Sequence, residues 1–313
     1  MRALVLGGGG VTGVAWELGV LAGLADAGVD LLDADVFVGT SAGSVVAAQV
    51  TSGVPLEELY SRQLGGPGAE IAARIGLRTL VAGGFAMLGA RDELAFRRRL
   101  GRMALAAPTG PAAERIAVIA SRLPAHTWPD RRLLVTAVDA DTGEFVVFDR
   151  DGGVSLVEAV AASCAVPGVW APVPIGERRF IDGGMRSAAN ADVVTDAVLA
   201  GALYVRADPE ASKAPPSHAP PGASLSPGGA GPGFDQVVVI APIARGGGRI
   251  ARLSDQVAAL RRTARVAVVT PDRAARRAIG RNVLDPARRA PAARAGRVQA
   301  IAAAEQIARV WTP

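Results

Sequence analysis

The chain has 313 residues, of which 50% are hydrophobic and 20% charged, so it has enough apolar material for a buried core and is not a disordered chain. Its 34 basic and 29 acidic residues leave a net charge of only +5, with no concentrated basic stripe, and this argues against a nucleic-acid partner. A single cysteine, Cys164, excludes an internal disulfide and a multi-cysteine metal site, while two histidines, His126 and His218, leave few ways to build a histidine-dependent active site.

The N-terminal segment predicts two successive units of strand, tight turn and helix. Residues 2–6 are an apolar run that predicts a buried strand, and the glycine run at 7–10 separates it from a helix predicted over 14–27. Residues 35–38 predict a second strand, which leads through a turn at 39–43 into a second helix. Strands that alternate with helices favour a parallel sheet with crossover helices, so we expect an α/β fold.

The middle of the chain predicts one amphipathic helix, at about 91–105. Its apolar stripe is flanked by arginines: Phe96, Leu100 and Met103 form the stripe, and Arg97, Arg98, Arg99 and Arg102 surround it. Such a helix can lie on an anionic membrane, although an ordinary surface helix is the simpler interpretation. We therefore expect at most weak peripheral contact with a membrane.

Paired strands and a capped helix are predicted next. Residues 133–140 and 145–148 predict two strands joined by a turn at 141–143. Ser155 and Glu158 have the spacing of a capping box, which predicts the start of a short helix.

The last third of the chain predicts an insertion followed by more α/β structure. Residues 207–235 are rich in proline and glycine and poor in large apolar side chains, which predicts a flexible insertion. Buried strands are predicted at 237–240 and 266–269, with a helix at about 253–263 between them, and these elements resume the earlier pattern. We therefore predict one domain over 1–313. Residues 272–313 predict helices rich in alanine and arginine.

No targeting or membrane-spanning segment is predicted. The first apolar run has four residues, 3–6, whereas a secretory signal needs roughly 7–15. No run approaches the ~20 apolar residues of a spanning helix. We expect a cytoplasmic protein.

The strongest catalytic motif follows the second predicted strand, in the sequence Gly39, Thr40, Ser41, Ala42, Gly43. A G-x-S-x-G sequence between a strand and a helix forms a nucleophile elbow, in which small neighbours permit a sharp turn around the serine. The hydroxyl then projects beside a helix N-terminus, which favours developing negative charge. A glycine-rich turn without chemistry is the alternative.

A serine nucleophile needs a base, and neither histidine is well placed to serve as one. His218 lies in the predicted insertion, and His126 lies in a loop between two prolines, Pro124 and Pro129. An α/β-hydrolase would also place several strands before its nucleophile and a histidine late in the chain, but only 38 residues precede Gly39.

A carboxylate is the remaining type of base. Asp182 follows a short strand predicted at 180–181 and precedes Gly183 and Gly184, which let another segment of backbone approach closely. Without the elbow, a turn aspartate would be the simpler interpretation.

The glycine run can supply backbone N–H groups to an oxyanion, because Gly8, Gly9 and Gly10 carry no side chains that block the approach. A dinucleotide loop is the alternative, since Gly8-x-Gly10-x-x-Gly13 fits that fingerprint. However, the acid that this fingerprint requires at the end of the second strand is absent, and so is the Gly-Lys-Ser/Thr of a Walker loop. A non-catalytic protein that binds nucleotide or lipid through the loop stays an open alternative.

Three motifs occur in order along the chain: Gly8-x-Gly10-x-x-Gly13, Gly39-x-Ser41-x-Gly43 and Asp182-Gly183-Gly184. Together they resemble the patatin-like phospholipase family, and the resemblance extends over roughly residues 1–200. It implies a three-layer fold with helices on both faces of a mostly parallel sheet. Many members carry arginine or lysine just before the third glycine of the loop, where this chain has Thr12.

The resemblance also implies a catalytic mechanism. Ser41 corresponds to the nucleophile and Asp182 to the general base of a Ser–Asp dyad, and the loop at 8–13 corresponds to the oxyanion hole. The implied substrates are lipids or other acyl esters, hydrolysed without a metal or a cofactor. An acyltransferase that uses the same dyad is the alternative within this class.

Overall fold

The computed structural model describes residues 1–65, 90–195, 234–244, 246 and 248–312, and the backbone of a short strand at 203–204. The predicted insertion at 207–235 lies outside these residues except for Phe234 and Asp235 at its end.

A single mixed sheet contains the nine described strands: β1 (Arg2–Leu6), β2 (Val36–Thr40), β3 (Arg132–Asp139), β4 (Phe145–Phe148), β5 (Val173–Ile175), β6 (Arg178–Asp182), β7 (Leu203–Tyr204), β8 (Gln236–Ile240) and β9 (Arg265–Val269). The central strands β3, β2, β1, β8 and β9 are parallel neighbours in that order. β4 and β6 run antiparallel to β3. Because β8 pairs with β1 and β9 pairs with β8, strands from both ends of the chain share one sheet.

Helices cover the sheet: α1 (Gly10–Asp26), α2 (Ala42–Val50), α3 (Leu56–Leu64), α4 (Glu93–Ala106), α5 (Ala112–Arg122), α6 (Leu156–Ser163), α7 (Leu253–Leu260), α8 (Arg273–Ile279) and α9 (Arg289–Trp311). Alternate residues of β1 point to opposite faces, so Leu4 and Leu6 join a core with α1, α2, α6 and α9, while Ala3 and Val5 join a core with α7. Both faces are therefore buried, and the predicted three-layer α/β fold with a mostly parallel sheet is confirmed.

The helix α9 packs closely against α1 through glycines on both helices. A Cβ atom at Gly19 or Gly23 of α1 would collide with the backbone of α9, and a Cβ at Gly296 of α9 would collide with the backbone of α1. The helices predicted in residues 272–313 correspond to α8 and α9. Through its contact with α1, α9 supports the helix that begins at Gly10 of the glycine loop.

The amphipathic helix predicted near 91–105 is α4, and two residues of its apolar stripe, Phe96 and Leu100, are buried, while Met103 is half-buried. Phe96 and Leu100 are 2% and 4% exposed and pack on a cluster that includes residues of β3 and β6. Arg97 and Arg98 donate hydrogen bonds to the carbonyls of the β3–β4 turn, both at 2.7 Å. Phe96 and Leu100 therefore pack against the sheet and not toward solvent. Among the described residues, no helix is long and apolar enough to span a membrane.

Candidate active site

Ser41 lies in the sharp turn between β2 and α2. Its φ of 53° is positive, a strained conformation for a residue with a side chain. Gly39 and Gly43 allow this turn, because a Cβ at Gly39 would collide with Ser44 and a Cβ at Gly43 would collide with Leu6. The turn has the geometry of a nucleophile elbow, with Ser41 at the N-terminus of α2.

Asp182 accepts a hydrogen bond from the hydroxyl of Ser41. The distance from Ser41 Oγ to Asp182 Oδ2 is 2.7 Å, and the other carboxyl oxygen accepts the Gly184 N–H at 2.7 Å. Burial raises the pKa of Asp182 to about 6, against the opposing effects of these two hydrogen bonds and of the positive charge of Arg115. Above this pH the carboxylate can accept the proton of Ser41.

The sheet register explains why these two residues meet. β2 pairs with residues 132–136 of β3, and β6 pairs with residues 137–139. β4 pairs with residues 135–138 of β3, which overlap both ranges, so β2 and β6 must share the opposite edge. Because β2 is parallel and β6 antiparallel to β3, their carboxyl ends meet, and Ser41 is brought next to Asp182.

The glycine loop lies beside Ser41. A Cβ atom at Gly8 would be 3.5 Å from the Cβ of Ser41. The Gly8 N–H donates to the carbonyl of Ala188 at 2.7 Å, and the Gly13 N–H donates to Gly9 within the first turn of α1. The N–H groups of Gly9 and Gly10 donate to no other residue in the described part of the chain. Of the three predicted oxyanion donors, Gly8 is thus engaged in this conformation, whereas Gly9 and Gly10 are open.

Ser41, Asp182 and the glycine loop line a cavity of about 240 Å³. Its walls are mainly apolar, with contributions from α1, α2 and the segment before α9: Val11, Val14, Val45, Val283 and Leu284. Two arginines of α5, Arg115 and Arg122, also line it, and the Arg115 guanidinium lies 4.3 Å from the centre of the Trp170 ring. A cavity of this composition can hold an acyl chain with its ester close to Ser41.

The sequence contains two histidines and one cysteine as further titratable groups. His126 is exposed, its Nε2 lies 3.0 Å from the Ala120 carbonyl, and it does not line the cavity. His218 lies outside the described residues. Burial raises the pKa of Cys164 to about 11, and its protonated thiol contacts the Ser41 carbonyl at 3.3 Å. No group of three or more potential metal ligands is found among the residues described.

Three polar residues near the site were not predicted. The Ser41 N–H donates to Ser163 Oγ at 2.8 Å. Glu17 is fully buried and accepts the Gly7 N–H at 2.9 Å, and burial raises the pKa of its carboxyl well above the ordinary value. Asn190 donates hydrogen bonds to Thr40, which precedes Ser41, and to the carbonyl of Gly183, which follows Asp182. Glu17 was detectable as a lone acid in an apolar helix, whereas Asn190 carries no local signal.

Comparison with known proteins identifies the family. A model of the family described as Patatin-like phospholipase matches residues 4–195, and no curated protein matches in sequence. Two similar solved structures are VipD from Legionella pneumophila (12% identity, TM-score 0.43, covering 97% of this chain and 67% of VipD) and the type III effector protein ExoU (15% identity, TM-score 0.39, covering 98% and 53%). The chain therefore spans about half the length of ExoU. Since the family match covers more than half of the chain, this protein belongs to the patatin-like phospholipase family.

Proposed function

We propose that this protein is a lipid acyl hydrolase of the phospholipase A or esterase type that uses a Ser41–Asp182 dyad. The observation that carries the proposal is the 2.7 Å hydrogen bond from Ser41 Oγ to Asp182 Oδ2 at the wall of an apolar cavity. Family membership supports lipid acyl hydrolysis in general. The geometry of the two residues and the raised pKa of the carboxyl support the specific roles proposed for them.

In the acylation step, Asp182 accepts the hydroxyl proton of Ser41 while Oγ attacks the carbonyl carbon of the ester. The resulting oxyanion is stabilised by the open N–H groups of Gly9 and Gly10 and by the N-terminal end of the α1 dipole. When the tetrahedral intermediate collapses, the C–O bond to the alcohol breaks and Asp182 returns its proton to the departing oxygen. The acyl group is now on Ser41.

In the deacylation step, Asp182 takes a proton from water, and the hydroxide attacks the acyl carbonyl. Collapse of the second intermediate breaks the bond to Ser41 Oγ, which recovers the proton from Asp182, and the free acid leaves. Because the base must be ionised, activity is expected to rise with pH through about 6.

Hydrolysis of a short-chain nitrophenyl ester tests the dyad. We expect Ser41→Ala and Asp182→Asn each to lower kcat/KM by at least about 10³-fold, because each removes an indispensable proton donor or acceptor. Ser121→Ala is the matched control, since Ser121 is exposed on α5 and outside the cavity lining. Wild-type activity that survives both dyad substitutions would overturn the proposal.

The acceptor of the acyl group can be tested with the same enzyme. If water is the acceptor, added glycerol or lysolipid leaves free fatty acid as the product. Formation of a new ester, dependent on Ser41, would instead identify an acyltransferase.

We also propose that contact with an anionic membrane is weak and electrostatic. Phe96 and Leu100 of α4 are buried, whereas Arg98 and Arg102 are exposed on the same helix. Attraction between such exposed charges and a lipid surface is screened by salt.

A further inference from the structure

Asn190 lies where the two catalytic segments come together, and its side chain contacts both. The residue is fully buried, with a left-handed backbone at φ 49° and ψ 41°. Its Nδ2 donates to Thr40 Oγ1 at 3.1 Å and to the Gly183 carbonyl at 3.1 Å. Thr40 immediately precedes Ser41, and Gly183 immediately follows Asp182. One amide group therefore links the nucleophile segment to the base segment.

The same amide also contacts the strand between them and its own loop. Nδ2 lies 3.3 Å from Thr136 Oγ1 and 2.9 Å from the Ser187 carbonyl. The hydroxyls of Thr40 and Thr136 are 2.8 Å apart and bond to each other. Since an NH₂ group has two hydrogens and four acceptors surround it here, the hydrogen bonds are shared. The ends of β2, β3 and β6 are thus connected through one buried polar group.

The orientation of this amide is fixed from its other side. Asn190 Oδ1 accepts a hydrogen bond from Arg186 Nη1 at 2.8 Å, and Arg186 forms an ion pair with Asp192 at 2.5 Å. Arg186 also lies over the Phe145 ring at 4.2 Å from its centre. Because a guanidinium can only donate and the Gly183 carbonyl can only accept, the amide cannot be reversed without losing both contacts.

We propose that Asn190 is a positioning residue that sets the distance between Ser41 and Asp182. This inference rests on the proposed dyad. Asn190 does not touch the reacting atoms, but it binds Thr40, the neighbour of Ser41, and Gly183, the neighbour of Asp182. Small displacements of reacting groups lower catalytic rates strongly, so loss of this link acts on the chemical step. Loss of the link is also expected to lengthen the Ser41–Asp182 hydrogen bond. Because this bond lowers the pKa of Asp182, a longer bond is expected to raise that pKa.

The test is Asn190→Gly, because glycine accepts the positive φ without strain and removes only the side chain. The rate is measured per active site, after titration of the active sites with a fluorophosphonate probe. We expect kcat to fall by about 10- to 100-fold, KM to change by less than about threefold, and the acid limb of the pH profile to move to higher pH. Trp311→Phe is the matched control, because it removes a buried N–H donor to Asp30, a residue that does not line the cavity.

A structural role alone predicts a different result. In that case Asn190→Gly reduces the number of titratable sites, while kcat per site and the pH profile stay at wild-type values, as expected for Trp311→Phe. That result would overturn the positioning role and leave the dyad intact. Absence of hydrolysis by the wild type would instead count against the proposed function.

If Asn190→Gly does not fold, substitutions of Thr136 decide the question. Thr136→Val removes the hydroxyl that bridges Asn190 and Thr40 but keeps the shape of the side chain. We expect it to lower kcat per site and shift the acid limb in the same direction, and we expect Thr136→Ser, which keeps the hydroxyl, to restore most of the rate. Equal rates for the two variants would contradict the proposal.

Discussion

Replacing Asp182 by asparagine is expected to abolish catalysis and to stabilise the protein at neutral and alkaline pH. The carboxyl is 2% exposed, and its pKa is raised from 3.8 to about 6. A shift of this size corresponds to about 3 kcal/mol between the charged and neutral forms. The raised pKa means that the stabilising contribution is present below pH 4 and is lost as the pH rises through 6, because the folded state then holds a buried charge.

Asparagine imitates the protonated acid in size and can still accept the Gly184 N–H. We therefore expect Asp182→Asn to raise the free energy of unfolding by up to about 3 kcal/mol at pH 8 and to leave it nearly unchanged at pH 4. Urea denaturation followed by circular dichroism at pH 4, 6 and 8 measures the difference. Asp130→Asn is the control, since the Asp130 side chain is fully exposed.

A difference between Asp182→Asn and the wild type that does not vary with pH would refute the reasoning about the buried carboxyl. A variant that is less stable than the wild type at pH 8 would refute it as well. Loss of activity with a gain of stability is the combination expected of a group retained for chemistry.

The remaining predictions concern a buried acid, the elbow and the membrane surface. Burial raises the pKa of Glu17 well above its ordinary value, so the unfolding free energy of the wild type is expected to decline above about pH 4, by no more than the ~1.4 kcal/mol per pH unit that one proton allows. Glu17→Gln is expected to flatten this decline, and an unchanged slope in urea denaturation argues against it. Gly43→Ala is expected to lower the free energy of unfolding by at least about 3 kcal/mol, because the new Cβ would collide with backbone. Gly28→Ala, where φ is +79° and the space is open, is expected to lower it by about 1 kcal/mol, and equal losses for the two variants would contradict the packing. The double substitution of Arg98 and Arg102 by Glu is expected to abolish weak cosedimentation with anionic vesicles, and wild-type binding that persists in ~0.5 M salt shows insertion instead.

Most strands were predictable because their signals are local. The apolar runs that end in glycine or in a turn predicted β1, β2, β8 and β9 close to their observed bounds, and the capping box at Ser155 and Glu158 is present at the start of α6. The helices α3 and α5 and the strand β5 were not predicted. β5 has only three residues, too few to show an alternating pattern. The helices α3 and α5 are amphipathic but short, with nine and eleven residues, so a signal for them is present in the sequence over only two to three turns.

The residues of the candidate site likewise fall into those predicted from local motifs and those that only long-range contacts bring to the site. Ser41, Asp182 and the glycines around them belong to short motifs, so a few consecutive residues are enough to predict their roles. The contact between Asn190 and Thr40 spans 150 positions, and the Gly8 N–H is engaged by Ala188, 180 positions away. Such contacts depend on how β6 approaches the end of β2, which no local pattern specifies.

The most direct test of the account is covalent labelling of the nucleophile. The protein is incubated with a fluorophosphonate probe at pH 8, and the modified peptide is identified by mass spectrometry. An activated Ser41 is expected to take up one probe per chain, whereas the Asp182→Asn variant is expected to react at least about 10³-fold more slowly, because the hydroxyl proton then has no acceptor. No labelling of the wild type, or equal labelling of Ser41 in both proteins, would contradict the Ser41–Asp182 dyad.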